Sequence, residues 1–179
     1  MTTLSQMYQR IGTPFFKVAS AAVTNLVMLE QISTFGRPVI MSTGMSTLQE
    51  IRQAVITLHR SFTPEIGLLA CTSCYPCKPA DLNLKRIHPL KAEFPTAAIG
   101  YSGHEPGLWT TLCAVAMGAR IIERHITLDR TMKGSDHASS VEPGGLHLLM
   151  REIRNFERAH GDGVIGVREC ELPDMKRLR

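Results

Sequence analysis

Near-continuously apolar, β-branched runs alternate with stretches of helical periodicity along this chain, five times over. The apolar runs are residues 15–20, 38–43, 66–72, 97–102 and 120–127. They lack the in–out alternation of a strand with one wet face, so each reads as a strand buried on both faces. The strands recur at a spacing of roughly 25–30 residues, the size of one βα unit. Regular βα alternation means a parallel sheet, either open or closed into a barrel.

The helix signals fall between the strands. Asn25 can cap a segment with Leu26, Leu29 and Ile32 on one face. Thr47 and Glu50 have capping-box spacing, followed by Leu48, Ile51, Val55 and Leu58 at helical intervals. Asn83 precedes Leu84, Ile87 and Leu90, with Pro89 expected to kink or shorten that helix. Pro106 is expected to open a helix that Gly118 closes. Pro143 opens the last one, with Leu146, Leu149, Ile153 and Phe156 inward and Gly161 at its end.

Polar residues choose between the open sheet and the barrel. Every strand ends in a cluster: Lys17 and Ser20; Ser42 and Thr43; Thr72, Ser73 and Tyr75; Ser102 and His104; His125 and Thr127. In a (β/α)8 barrel the C-terminal strand ends converge on one point, so side chains from many strands meet there. An open doubly wound sheet uses only its switch point, usually with a glycine-rich phosphate turn. No such turn is present. The expected fold is therefore α/β, a partial TIM barrel. A full barrel has eight strands and typically about 250 residues, and this chain has 179.

Composition narrows the function classes. With 44% hydrophobic and 20% charged residues the chain suits a globular domain. A net charge of +4 suits an anionic substrate, but there is no dense Lys/Arg run, so no nucleic-acid partner is expected. No apolar run has the length of a membrane helix, and the N-terminus carries no signal-peptide pattern. Five cysteines do not make a secreted disulfide framework, so the expected compartment is cytoplasmic.

Two imidazoles, His104 and His125, sit at the ends of neighbouring strand candidates and read as half of a metal site. The alternative is one helix-capping and one core histidine. Lys17 lies in an otherwise apolar strand, where an ammonium needs an anion or a path to water. Asp136 and His137 follow a glycine-containing loop, where an acid can orient a histidine, a water or a sugar hydroxyl. Cys71, Cys74 and Cys77 have a cluster-like spacing, but Asp81 stands where a fourth cysteine would be needed. Ser42 and Ser102 lack a nucleophile-elbow context.

Six motifs together resemble one known family. They are Lys17–Ser20, Ser42–Met45, Cys71–Pro76, Gly100–His104, Glu123–Asp129 and Lys133–His137. In that order and spacing they resemble the sialic acid (N-acetylneuraminate) synthases and their legionaminic and pseudaminic acid relatives, with animal-type wording in the last three. The resemblance implies strands 4 to 8 of a (β/α)8 barrel, about five βα units. It implies a barrel segment over 1–165 and a linker stub over 166–179, the family's antifreeze-like domain being absent.

The implied activity is condensation of phosphoenolpyruvate with N-acetylmannosamine or its 6-phosphate, giving a nine-carbon 2-keto acid and phosphate. His104 and His125 would hold Mn2+ or Mg2+ and, with Asp136, form the catalytic set. Lys17 and Ser20 would hold the phosphoenolpyruvate anion, with Ser42, Ser73 and Ser102 donating hydrogen bonds to it. Tyr75 and Asp136 would face the sugar. A homodimer is implied as well. The chain departs from the family at Ala21 and Ala22, where a glycine and a carboxylate are usual. The alternatives are a non-catalytic fragment that binds metal or phosphate or pairs with an intact subunit, and a synthase for a related sugar acid.

Overall fold

The computed structural model describes residues 11–60 and 63–179. Residues 1–10 of the expected barrel segment lie outside the described residues. All five expected strands are present: β1 (Phe16–Val18), β2 (Val39–Ser42), β3 (Ile66–Cys71), β4 (Ala98–Gly103) and β5 (Ile122–Arg124). They pair in sequence order, every pair parallel. The sheet curls into a half-barrel with its helices outside, the α/β architecture of a partial TIM barrel. Among the described residues β1 and β5 are its outermost strands.

Six α-helices lie wholly within the described residues: α1 (Leu26–Ser33), α2 (Leu48–His59), α3 (Ile87–Glu93), α4 (Trp109–Ala116), α5 (Pro143–Ala159) and α6 (Leu172–Leu178). Local chemistry starts three of them as expected, α5 opening on Pro143. The Asn25 side chain accepts from Met28 N at 3.1 Å. Thr47 and Glu50 close a reciprocal capping box, with Glu50 Oε2 accepting from Thr47 N at 2.7 Å and Thr47 Oγ1 accepting from Glu50 N at 3.3 Å.

Three expected boundaries move. Asn83 caps no α-helix: its φ of +49° starts a 3-10 turn, Leu84–Arg86, and α3 begins only at Ile87. Pro89 lacks the N–H that an α-turn would aim at the Lys85 carbonyl, so the turn ahead of it tightens. α4 starts at Trp109 rather than near Pro106, because Gly107 turns the chain at φ +85° and the hydroxyls of Thr110 and Thr111 reach back to Glu105. β5 is shorter than residues 120–127. Its approach already bonds to β4, as Arg120 N donates to the Ile99 carbonyl and Tyr101 N to the Ile121 carbonyl. Past Arg124 the chain leaves β4, and Ile126 bridges Val141 instead.

Strand alternation sorts the residues into two layers. Phe16, Val18, Val39, Met41, Leu68, Ala70, Ile99 and Tyr101 join Leu29, Val55, Leu58 and Ile87 in the core between sheet and helices. The other parity faces the barrel interior. It carries Lys17, Ser42, Cys71 and Ser102, the last three buried. Of the inward stripe expected on α5, Leu149 is buried, while Leu146, Ile153 and Phe156 are half-buried.

Candidate functional site

Register places the interior residues in a row. Cys71 of β3 is opposite Ser102 of β4, which is opposite Glu123 of β5. Glu123 and His125 are two residues apart along an extended segment, so both face the interior. His104 follows Ser102 on the same face. The result is a group of three ligand atoms, from His104, Glu123 and His125, all within 4.8 Å of one another. Two imidazoles and a carboxylate are a donor set that fits a divalent first-row ion or Mg2+, with water completing the shell.

The supporting contacts orient both rings. His104 is buried, and its Nδ1 lies 3.0 Å from the Thr72 carbonyl. A carbonyl only accepts, so Nδ1 carries the proton and Nε2 keeps its lone pair for a ligand. His125 Nδ1 lies 3.2 Å from Asp136 Oδ2, which leaves its Nε2 free in the same way. The two rings meet edge to face with centroids 5.1 Å apart, and Tyr75 packs 4.1 Å from His104 and 5.7 Å from His125. Glu123 Oε2 accepts from Ser102 Oγ at 2.6 Å.

A second subset lies along β1 to β3. Lys17 Nζ donates to Ser42 Oγ at 2.8 Å. Burial of the ammonium lowers its pKa below 10.5, against the opposing pull of Glu123 and Cys71. Ser20 Oγ accepts from Gly44 N at 3.0 Å and reaches Cys71 Sγ at 3.5 Å, and Ser73 Oγ lies 3.7 Å from the same sulfur. Gly44 is required here: a Cβ on it would stand 2.2 Å from Ser73 Oγ and 2.9 Å from Ser20 Oγ.

Cys71 links the two subsets, because its Sγ is also 3.9 Å from His104 Nδ1. Burial pushes the thiol up, but the hydrogen bonds of His104, Ser20 and Ser73 outweigh it and bring its pKa down to about 7. On His104, burial opposes the charged form, and the bonds to Cys71 and Thr72 outweigh it, so its pKa is raised.

Nine residues were expected to gather from sequence: Lys17, Ser20, Ser42, Ser73, Tyr75, Ser102, His104, His125 and Asp136. Each has a contact to another of them or to Cys71 or Glu123. Two further residues belong to the group. Glu123 was legible through its spacing of two from His125 on a strand. Cys71 has no such signal, since an apolar strand end and a buried hub look alike in one dimension. Cys74 is exposed and Cys77 is buried elsewhere, with its N–H on the His104 carbonyl.

Residues 2–165 match the model of the NeuB family. Over 173 residues the chain is 42% identical to the N-acetylneuraminate-9-phosphate synthase of Homo sapiens, covering 97% of this chain and 48% of that protein. Over 175 residues it is 38% identical to the N,N'-diacetyllegionaminic acid synthase of Campylobacter jejuni, covering 97% of this chain and 52% of that protein. Its fold superimposes with a TM-score of 0.85 on the crystal structure of an N-acetylneuraminic acid synthetase from Leptospira borgpetersenii in complex with citrate. That pair is 36% identical, and the match covers 97% of this chain and 60% of that one. The chain thus spans about half the length of the curated relatives it matches. Among the described residues no helix is long and apolar enough to cross a membrane.

Proposed function

The chain belongs to the NeuB family, and on that premise we propose that it carries the metal-binding part of a synthase site condensing phosphoenolpyruvate with an N-acetylmannosamine-type sugar. The observation that carries this reading is the convergence of His104, Glu123 and His125 beside the Lys17–Ser42 pair on one interior face. The names of the relatives point to sialic-acid-type products.

His104 and His125 would hold the ion, with Glu123 as the carboxylate donor. Manganese or magnesium bound there would polarise the aldehyde oxygen of the open-chain sugar. Lys17 binds the phosphate or carboxylate of phosphoenolpyruvate as a point charge, and Ser42 orients the ammonium. Ser20 and Ser73, brought together over Gly44, donate to the remaining oxygens, as does Ser102. Tyr75 and Asp136 line the sugar side, and Asp136 holds the His125 ring in place. C3 of phosphoenolpyruvate bonds to the aldehyde carbon, water adds at C2, and cleavage of the C–O bond releases phosphate. The site works in a closed assembly, either a homodimer or a barrel completed beyond these five strands, in the cytoplasm.

The test is phosphate release from phosphoenolpyruvate with N-acetylmannosamine or its 6-phosphate and manganese, beside the same mixture without sugar. Sugar-dependent release is expected. A folded protein that binds manganese and releases no phosphate with either sugar would leave the metal site without the chemistry.

A further inference from the structure

A second polar cluster lies back to back with the candidate metal centre, on the outer face of β4 and β5. Its members are Glu105, Arg124, Tyr101, Thr110 and Thr111. The Glu105 side chain is fully buried and that of Arg124 is 3% exposed. Glu105 Oε1 accepts from Thr110 at 2.6 Å, Thr111 at 3.0 Å and Arg124 Nη1 at 3.1 Å, and Oε2 accepts from the Tyr101 hydroxyl at 2.7 Å.

The connections of Arg124 run to the segments that carry His104 and Asp136. Its Nη2 donates to the Glu105 carbonyl at 2.7 Å, one residue past His104. It is itself flanked by Glu123 and His125. The same Nη2 reaches the Ser139 carbonyl at 3.4 Å, and Ser139 N and Oγ both donate to the Asp136 carbonyl, at 3.1 and 2.9 Å. Nη1 adds the Gly107 carbonyl at 3.1 Å and Thr111 Oγ1 at 2.7 Å. Gly103, opposite Arg124 in register, makes room for the cluster: a Cβ there would stand 2.6 Å from Tyr101 Cε1 and 2.7 Å from Glu105 Oε2.

β5 is three residues long, and beyond it the backbone of His125 is held by Val141 N, which donates to its carbonyl at 2.8 Å. We infer that Arg124, forked onto Glu105 and the Ser139 carbonyl on the outer face, is the positioning residue that sets His104, Glu123 and His125 at ligand spacing on the inner face. The inference rests on the metal reading above. A planar guanidinium with several fixed donors can register three segments at once, which a lysine ammonium cannot.

The experiment is a manganese titration of the whole chain, followed by the spectroscopic signal of free Mn2+, beside far-ultraviolet circular dichroism and metal-free thermal unfolding. Arg124→Lys keeps the charge beside Glu105 but loses the fork. It is expected to fold and to bind Mn2+ about tenfold more weakly, the range seen when outer partners of metal ligands are removed. Glu105→Leu with Arg124→Met replaces the pair by apolar groups, a change often neutral for stability. It is expected to show the same loss of affinity, and it decides the matter should Arg124→Lys fail to fold. A merely structural role moves the unfolding temperature and leaves the affinity of the folded protein unchanged, and that outcome overturns the inference. A wild-type chain that binds no Mn2+ overturns the metal reading itself, and this inference with it.

Discussion

The two faces of β4 and β5 carry polar clusters of opposite character. On the outer face Glu105 and Arg124 are dry, and both carboxylate oxygens of Glu105 are taken by donors within the fold. On the inner face His125 is 29% exposed and its partner Asp136 45% exposed, while Glu123 accepts from Ser102 alone among the contacts described. Glu105 spends both carboxylate oxygens on the protein and Arg124 both Nη atoms, which makes the pair part of its scaffold. The inner groups keep lone pairs facing a common point, which makes them available to a ligand. Alternation along a strand lets one short stretch, Glu123–Arg124–His125, serve both clusters.

If the contrast is right, an inner-face substitution weakens binding without loss of stability, whereas an outer-face substitution that strands one partner of the buried pair costs stability as well. Glu105→Ala leaves the Arg124 guanidinium buried without its counter-ion, which should cost about 3–5 kcal/mol in urea unfolding. A loss below about 1 kcal/mol would mean that the outer face is not a scaffold. His125→Ala should do the reverse. Manganese affinity should fall at least about a hundredfold, about 2.8 kcal/mol, with the circular dichroism spectrum unchanged. Unchanged manganese binding would remove His125 from the ligand set.

Gly103→Ala probes the boundary between the faces. Its added methyl overlaps the Tyr101 ring and the Glu105 carboxylate, and overpacking of this kind should cost about 1–3 kcal/mol. A neutral effect in thermal unfolding would show that the outer cluster has slack.

The gentlest test is by pH. The pKa of Lys17 is lowered by burial, so it loses its proton at a lower pH than an ordinary lysine. Binding of phosphoenolpyruvate should be strongest below that point and weaken as pH rises, with the onset below 10.5. Lys17→Met should remove this pH dependence. It should also leave the fold equally stable or slightly more so, because a charge held partly out of water costs the folded state. Calorimetric titration with phosphoenolpyruvate at several pH values reads both effects, and a pH-independent wild-type affinity would take Lys17 out of the anion pocket.

Much of the architecture could be read one residue at a time. The βα spacing, the Thr47–Glu50 box and the Asn25 cap depend on neighbours within a few positions, and these survived folding unchanged. Of the expectations that shifted, only the end of β5 depended on a distant partner; the starts of α3 and α4 turned on Pro89 and on the hydroxyl contacts of Glu105, which periodicity does not carry. β5 ends where its edge parts from β4, and α4 begins where Glu105 anchors Thr110 and Thr111. The interior site was partly legible because its histidines end strands, and strand ends in a barrel converge. Cys71 stayed hidden because its links to Ser20 and His104 span 51 and 33 residues.

The sequence by itself determined the order of the strands, the parallel sheet and the starts of α1, α2 and α5, since periodicity and capping are local properties of the chain. Only the tertiary structure decided which polar residues are scaffold and which are open to chemistry. Glu105 and Arg124 stand 19 residues apart, and whether such a pair closes depends on register and curl. Moving one strand by a single residue would exchange its inward and outward side chains and undo the pair.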